Sequence, residues 1–279
     1  ICIISGMANK RLDYSVVYCD DDFIVLNKRS GLLIAADRYN PDELRLDLLA
    51  EKEFGKIYAV HRIDKDTSGL IVYARNLEAQ KNISMQFEKR EVQKIYHALV
   101  YGHPMWQTLH VDMPLQPDGD ARHRTVPSKK YGKPSVTDFK LIGNCGPYSW
   151  LEARPKTGRT HQIRVHIASS GFSIVCDPLY GGNQKPVRLS EIKKKWNGDE
   201  TEERPLLKRL ALHAYKIEFA HPRTGEKVSF TQMSKDAWIT SQIKSKMLVD
   251  SKVKTSDIKV VTENNEAFLM GNVTQDQGN

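Results

Sequence analysis

Short segments of alternating or β-branched apolar residues follow one another along most of this chain, with few helical patterns between them. Such segments are typical of strands that are buried on one or both faces. They lie at residues 16–19, 23–27, 70–74, 94–101, 135–141, 148–153, 173–176, 212–220 and 227–231. Because most strands follow one another directly, we predict an α+β fold with a mainly antiparallel mixed sheet.

Three segments carry helical signals and are expected to flank that sheet. Leucines at helical spacing mark residues 44–53. Asn76 is the expected N-cap of a second helix that runs to about Arg90. A third helix is expected over 161–170, after a capping turn at 157–160.

The domain prediction places an N-terminal extension over 1–15, one domain over 16–240 and a C-terminal helix or tail over 241–279. Residues 184–209 form a charged, turn-rich insertion in that domain. No apolar run approaches the ~18–20 residues that cross a bilayer, so no membrane contact is expected and the cytoplasm is the default location.

No metal site is predicted from the cysteines or histidines. His161 and His166 are five positions apart on the third helix, so they are poorly aligned as a ligand pair. The cysteines lie far apart without a Cys-x-x-Cys motif, which predicts reduced thiols rather than zinc ligands or disulfides. They are Cys2, Cys19, Cys145 and Cys176.

The net charge of +8 is concentrated in two stretches that lack acidic residues, 121–137 and 154–166, which together carry nine positive charges. Two such stretches favour a polyanionic partner, most simply nucleic acid, over the alternative of a solvated surface. The residues of the first stretch that we expect to grip this partner are Arg122, Arg124, Lys129 and Lys130.

A polar segment at 61–69 lies directly before the strand predicted at 70–74. It begins with His61 and Arg62 and contains Asp64. A carboxylate beside cationic neighbours stays ionised at neutral pH, and a positioned carboxylate can attack a sugar or an electron-poor ring. A surface turn with local ion pairs is the alternative.

A second polar cluster surrounds the start of the third predicted helix. Hydrogen-bond donors near a helix N-terminus suit a phosphate or a carboxylate. The residues concerned are Arg159, Thr160, His161, Gln162 and Arg164. An exposed amphipathic helix is the alternative interpretation.

Together these segments resemble the RluA type of pseudouridine synthase. That family carries His-Arg-Leu-Asp and, two residues later, Thr-Ser-Gly; residues 61–69 match this signature with Ile63 in place of leucine. The resemblance extends, in the family's order, to residues 94–100, 158–166, 177–181 and 212–214. It covers roughly 16–238.

The resemblance implies an isomerase that converts uridine to pseudouridine in structured ribosomal or transfer RNA, in a central catalytic cleft and without a cofactor. Asp64 would be the catalytic aspartate, Arg164 would pair with it, and Tyr96 would pack against the target uracil. Arg62 would enter the RNA helix where the base has left, and Thr67 would shape the turn that aims the aspartate. The other expected substrate contacts are His61, Arg159, Thr160, His161 and Gln162.

This isomerisation needs no redox change and no group donor, and the sequence contains no nucleotide- or metal-binding motif. A monomer with one catalytic domain, without the small RNA-binding domain that precedes it in many relatives, is expected. The insertion at 184–209 is expected to help select the RNA. Two alternatives stay open: an RNA-binding relative without the chemistry, and a hydrolase that uses Asp64 with Asp66.

Overall fold

The computed structural model describes residues 13–35, 43–181, 185–192, 203–232, 258–263 and 266–271. The strands are β1 Tyr14–Cys19, β2 Phe23–Lys28, β3 Tyr58–Ala59, β4 Ser68–Ala74, β5 Gln93–Tyr101, β6 Thr108–Asp112, β7 Leu115–Gln116, β8 Val126–Pro127, β9 Val136–Cys145, β10 Tyr148–Pro155, β11 Leu212–Ala220, β12 Lys227–Thr231, β13 Ile258–Glu263 and β14 Glu266–Gly271. The helices are α1 Leu46–Phe54, α2 Leu77–Glu88, α3 Gln162–Ser169 and α4 Leu189–Ile192.

Ten of these strands form one mixed sheet in the order β1-β2-β4-β11-β5-β10-β9-β6, with β3 beside β4 and β12 beside β11. The paired strands of this sheet are antiparallel except β4 and β11, which run parallel. The predicted α+β fold with a mainly antiparallel sheet is therefore confirmed.

Strands β2 and β4 are buried on both faces and supply two core clusters. Alternate side chains of a strand point to opposite faces of the sheet. On the face covered by α1 lie Ile24, Leu26, Ile71 and Tyr73. On the face covered by α2 lie Phe23, Val25, Leu70 and Val72. The polar segment at 61–69 therefore leads into β4, in which every residue is buried.

The parallel pairing of β4 and β11 depends on a glycine. Gly69 lies opposite Ala214 and has a φ of 111°, in the region that favours glycine. A Cβ at this position would lie 2.3 Å from the Ala214 carbonyl oxygen. Two segments that are far apart in the sequence, 67–69 and 212–214, are brought together by this contact.

Two of the three predicted helices follow their sequence signals closely. The Asn76 side chain accepts a hydrogen bond from the Ala79 N–H at 2.8 Å, which confirms it as the N-cap of α2. The first turn of α2 packs Ala79 against the sheet, and Ile83 follows one turn later, both buried. Helix α1 begins two residues after the start expected for it and ends one residue beyond the expected end.

Helix α3 differs from its prediction at its start and in its burial. The capping residue is His161, which has a left-handed backbone (φ 53°) and no side-chain cap, so the helix starts one residue later than expected and the cap does not lie in the predicted turn at 157–160. Residues 162–167 are all buried, which excludes the alternative of an exposed amphipathic helix. The strand predicted at 173–176 is also wrong, since only Ile174 forms an isolated bridge, to Val100.

The structure differs from the domain prediction near both ends of the described chain, and it describes part of the predicted insertion. Strand β1 begins at Tyr14, inside the expected extension over 1–15. The C-terminal helix or tail is wrong over 258–271, where β13 and β14 form an antiparallel hairpin. In the insertion the structure describes α4, whereas residues 193–202 lie outside the described ranges.

Candidate active site

A pocket of about 230 Å³ opens where the loop before β4, the strand β5 and the segment leading into α3 meet. Ten of the predicted site residues line it: Asp64, Tyr96, Arg164, His61, Arg62, Thr67, Arg159, Thr160, His161 and Gln162. The four basic residues predicted in the stretch 121–137 do not. The structure therefore brings the motif residues together around the pocket and leaves those four basic side chains outside its lining.

The loop that carries Asp64 is held by a buried lysine. The Lys28 side chain is 1% exposed, and its ammonium donates hydrogen bonds to the carbonyl oxygens of Arg29 at 2.9 Å, Leu32 at 2.8 Å and Lys65 at 2.7 Å. Burial lowers the pKa of Lys28 to about 7, against the charges of two nearby aspartates. All three ammonium protons have acceptors, so Lys28 joins two loops beneath the site. Sequence reasoning missed this residue, whose only signal is a lysine at the end of an apolar strand.

Asp64 lies close to two side chains of the segment that begins α3. Its Oδ2 is 3.7 Å from Arg164 Nη1 and 3.9 Å from His161 Nε2, and its side chain is 19% exposed. Behind it, the Thr67 N–H donates to the Asp64 carbonyl oxygen at 3.1 Å, which closes the turn as predicted. The carboxylate thus reaches the pocket without a short hydrogen bond to either of these side chains.

Arg164 has a closer partner than Asp64, and sequence reasoning had not given that partner a role. Its Nε and Nη2 donate to the two oxygens of Asp177 at 2.8 and 2.7 Å, and both side chains are almost fully buried. Burial opposes the charged form of Arg164, but the hydrogen bonds and charge of Asp177 raise its pKa. The same bonds lower the pKa of Asp177 against burial. The predicted pairing of Arg164 with Asp64 is therefore a longer contact beside this bidentate pair.

His161 connects Asp64 to a tyrosine of the motif at 177–181. Its Nδ1 lies 3.0 Å from the Tyr180 hydroxyl, which accepts the Thr125 N–H at 2.9 Å. Because a backbone N–H only donates, the Tyr180 proton is free to bind Nδ1, and in that arrangement the imidazole proton is on Nε2, towards Asp64. Burial lowers the pKa of His161 and favours this neutral form, although Asp64 acts in the opposite direction.

Tyr96 projects from β5 into the pocket and packs against two core clusters. Burial, reinforced by the negative charge of Asp64, raises the pKa of its phenol. The hydroxyl therefore keeps its proton at neutral pH, so it can donate a hydrogen bond while the ring offers an apolar face.

His61 is a neutral structural residue rather than a cationic neighbour of Asp64, so that part of the prediction is wrong. Its Nε2 accepts the Val72 N–H at 2.9 Å, and its ring stacks on Phe87 with centroids 4.6 Å apart. Burial lowers the pKa of His61 to about 3, and the charge of Lys94 contributes. Arg62, by contrast, is exposed at the pocket.

Gln162 lines the pocket, but its amide is occupied by the protein. Its Oε1 accepts from the Thr157 hydroxyl at 2.6 Å and the Arg159 N–H at 3.0 Å. Its Nε2 donates to the Val136 carbonyl and the Thr137 hydroxyl, both at 2.9 Å. These four bonds use the capacity of the amide and favour a positioning role over direct substrate contact.

In the first basic stretch, Arg124 is also a structural residue. It donates to Asp120 Oδ2 at 2.8 Å and to the Leu179 carbonyl at 2.9 Å, so it braces the loop against the motif at 177–181. The other three basic side chains predicted there are exposed: Arg122, Lys129 and Lys130.

One group of possible metal ligands lies away from the pocket, at Asp20, Asp22 and His221. Its members already bond to the protein and to one another. Asp22 Oδ1 accepts from Arg223 at 2.7 Å and Asn76 at 3.1 Å, and His221 Nε2 lies 3.1 Å from Asp20. These contacts account for the cluster as the anchor of the turn between β1 and β2.

Comparison with known proteins decides which family this site belongs to. The family model described as RNA pseudouridylate synthase matches residues 22–169, more than half of the chain. The chain belongs to the RNA pseudouridylate synthase family. The family predicted from the motifs is thereby confirmed. A second model, described as the BON domain, matches residues 235–279, for which the sequence predicted only a helix or tail.

Similar proteins include ribosomal large subunit pseudouridine synthase D of Neisseria meningitidis serogroup B, 36% identical over 223 residues, which are 77% of this chain and 56% of that protein. The chain thus spans little more than half the length of this relative. The Zymomonas mobilis protein of the same name is 34% identical over 249 residues, which are 85% of this chain and 73% of that protein.

Solved structures agree on the fold. Human RNA Pseudouridylate Synthase Domain Containing 1 is 26% identical, with a TM-score of 0.61 over 82% of this chain and 86% of that chain. Human RNA Pseudouridylate Synthase Domain Containing 4, at 20% identity, has the same TM-score over 83% of this chain and 92% of that chain. In the described part of the chain, no helix combines the length and apolar character of a membrane span.

Proposed function

We propose that this protein isomerises uridine to pseudouridine in ribosomal RNA, with Asp64 as the nucleophile and without a cofactor. One observation carries the proposal: the pocket holds Asp64 within 4 Å of both Arg164 and His161, with the Tyr96 ring in the same pocket. Family membership supports the reaction, and the names of the relatives support ribosomal over transfer RNA.

The chemistry requires one well-placed carboxylate. Asp64 attacks the sugar carbon and displaces the uracil nitrogen, or it adds to the uracil ring and the bond between the sugar carbon and the uracil nitrogen then breaks; both routes pass through a covalent intermediate. The base then turns, its carbon 5 bonds to the sugar carbon, the bond to Asp64 breaks, and the proton on carbon 5 is lost while the nitrogen gains one. Substrate and product have the same atoms, so neither an oxidant nor a group donor is consumed.

The side chains around Asp64 suit the changes in charge that occur during this reaction. The Arg164 guanidinium and the Nε2 proton of His161 face the carboxylate and stabilise its charge before attack and after release. Tyr96 offers its ring to the uracil and a protonated hydroxyl for a hydrogen bond. Because the nucleophile is only 19% exposed, little water reaches the detached base.

The target uridine must leave its stack, which costs a few kcal/mol. In our proposal Arg62, which is exposed at the pocket, fills the space that the base vacates. Arg122, Lys129 and Lys130, which are exposed, contact phosphates, and Arg124 positions their loop. A monomer in the cytoplasm, with its catalytic domain over 16–240 and an insertion at 184–209 that helps select the RNA, stays our prediction.

The test compares Asp64→Asn with Asp66→Asn, its matched control two residues away. Both proteins are given an unmodified large-subunit ribosomal RNA transcript, and pseudouridine formation and RNA affinity are measured. We expect Asp64→Asn to lose more than about a thousandfold in rate at unchanged affinity, as when a covalent nucleophile is removed, and Asp66→Asn to stay active.

Other outcomes contradict the proposal and identify its alternatives. An active Asp64→Asn enzyme removes the nucleophile from the scheme. Wild-type protein that binds the transcript but forms no pseudouridine is an RNA-binding relative. Release of free uracil, with loss on substitution of Asp66, identifies a hydrolase.

A further inference from the structure

Lys28 is buried beside the active site and Lys94 is partly buried there, and they differ in what their ammonium groups bind. Lys28 places all three of its protons on backbone carbonyls, as described above. Lys94 Nζ makes a single long hydrogen bond, 3.5 Å to the Thr157 carbonyl. Among the described residues, no carboxylate forms an ion pair with Lys94. Since an ammonium carries three donors, Lys94 has donors to spare.

The spare donors of Lys94 face the pocket. Lys94 and Tyr96 are two positions apart on β5, so their side chains leave the same face of the strand, and both line the pocket. The Lys94 Nζ also lies over an aromatic ring, 6.0 Å from the centroid of Phe87. His61, which stacks on that ring, is neutral and adds no negative charge.

A glycine leaves the Lys94 ammonium accessible from outside. Gly158 is exposed, and a Cβ built on it would have Lys94 Nζ as its only neighbour within 4 Å, at 3.7 Å. Any side chain longer than alanine at this position would extend towards the ammonium. The turn that follows Thr157 therefore forms an open edge of the pocket directly over a cation.

We propose that Lys94 and the Gly158 turn form a subsite for one backbone phosphate of the RNA, next to the pocket that receives the target nucleotide. The inference rests on the proposed function only in that RNA enters this pocket. A phosphate supplies the acceptor oxygens and the negative charge that Lys94 lacks in the free protein. The subsite lies at the open edge of the pocket. This position suits a phosphate of the RNA backbone, which continues outside the pocket, rather than the base, which is enclosed.

The pKa values agree with this division of the pocket. The charge of Asp64 acts on the pKa values of Tyr96 and His161. Burial lowers the pKa of Lys94 to about 8, so its ammonium is still largely protonated at neutral pH and can bind a phosphate.

The experiment measures how RNA affinity depends on salt. Each protonated lysine that contacts a phosphate adds about 0.7 to 0.9 to the slope of log affinity against log salt concentration. We expect Lys94→Gln to lower this slope by about that amount and to weaken binding of an unmodified large-subunit ribosomal RNA transcript about tenfold at low salt. Lys94→Arg should keep the slope, and Lys52→Gln, which removes an exposed lysine outside the pocket, is the matched control.

A measurement on wild-type protein covers the case in which Lys94→Gln does not fold. Acetylation of individual lysines is followed by mass spectrometry with and without the transcript. RNA should protect Lys94, Lys52 should react equally in both, and Lys28 should react slowly throughout. An unchanged slope for folded Lys94→Gln, or equal acetylation of Lys94 with and without RNA, overturns the proposal. Both readouts report binding, so they are independent of whether Asp64 variants turn over.

Discussion

The Arg164 guanidinium is shared unequally between two carboxylates: two of its nitrogens donate to Asp177 at 2.8 and 2.7 Å, and the third lies 3.7 Å from Asp64. Asp177 is fully buried and also accepts the N–H groups of Leu179 and Tyr180. It therefore holds the guanidinium in one orientation. Asp64 receives its positive charge without being tied down by a short hydrogen bond, as a nucleophile requires.

Replacement of Asp177 by asparagine should damage stability and catalysis together. The substitution leaves a buried guanidinium without its bidentate partner, a change that typically costs about 3–5 kcal/mol. Urea unfolding should show this loss, and single-turnover pseudouridine formation should slow in the fraction that stays folded. Asp138→Asn, which alters a half-exposed carboxylate paired with His110, is the control and should change little. Wild-type stability in Asp177→Asn would contradict the role given to this pair.

Tyr180→Phe should change the ionisation of His161 more than it changes the fold. A hydroxyl that donates to Nδ1 favours the neutral ring, so its loss should raise the pKa of His161, while burial still keeps that pKa below its ordinary value. The charged groups that face this ring are Asp64, Arg164, Asp177 and Arg62, and they are unchanged. Histidine NMR titration measures the shift. Tyr148→Phe removes a hydroxyl that is bonded to Glu191 and should leave the pKa of His161 unaffected. If Tyr180→Phe also leaves this pKa unchanged, the hydrogen bond from the Tyr180 hydroxyl to Nδ1 does not control the ionisation of His161.

Gly69→Ala should destabilise the protein through a backbone collision. The new Cβ would lie 2.3 Å from the Ala214 carbonyl oxygen, so β4 and β11 must separate. We expect a loss of more than about 2 kcal/mol in the free energy of unfolding, from steric overlap added to the strain of a positive φ. Gly225→Ala has a positive φ but no neighbour within 4 Å, so it isolates the conformational part. Equal losses in the two variants would show that the collision is relieved cheaply.

Acid should weaken the fold in part through His213. Its ring bonds to Ser68 through Nδ1 and to the Gln232 carbonyl through Nε2, and burial lowers its pKa to about 3. Between the ordinary value of 6.5 and 3 the unfolded chain binds a proton that the folded protein does not. Stability should therefore fall as pH decreases through this window, by about 1–2 kcal/mol between pH 7 and 5 for this histidine. Urea unfolding at both pH values should show that the free energy of unfolding changes less with pH in His213→Gln than in the wild type. An equal change in both proteins would exclude His213 as a source of the acid sensitivity.

The catalytic motif illustrates how far local patterns reach. The polar segment with Asp64 was expected directly before a buried strand, and β4 confirms it because seven consecutive buried residues leave a strong pattern. The N-cap of α2 was predictable for a similar reason, since an asparagine and the helix it caps are neighbours in the sequence. The ionisation of His61 was not, because it depends on Phe87 and on a strand N–H that only folding brings to the ring.

Side-chain periodicity and short motifs are local properties of a chain, so they predicted most strands of the main sheet, the family motifs and ten of the residues that line the pocket. The partners of those residues were not predictable in this way. Asp177 as the main partner of Arg164, Lys28 beneath the Asp64 loop and Ser68 against His213, 145 positions apart, depend on contacts between distant segments. The free energy of such a contact comes from burial and geometry that arise only when the sheet has assembled, so no local pattern encodes it.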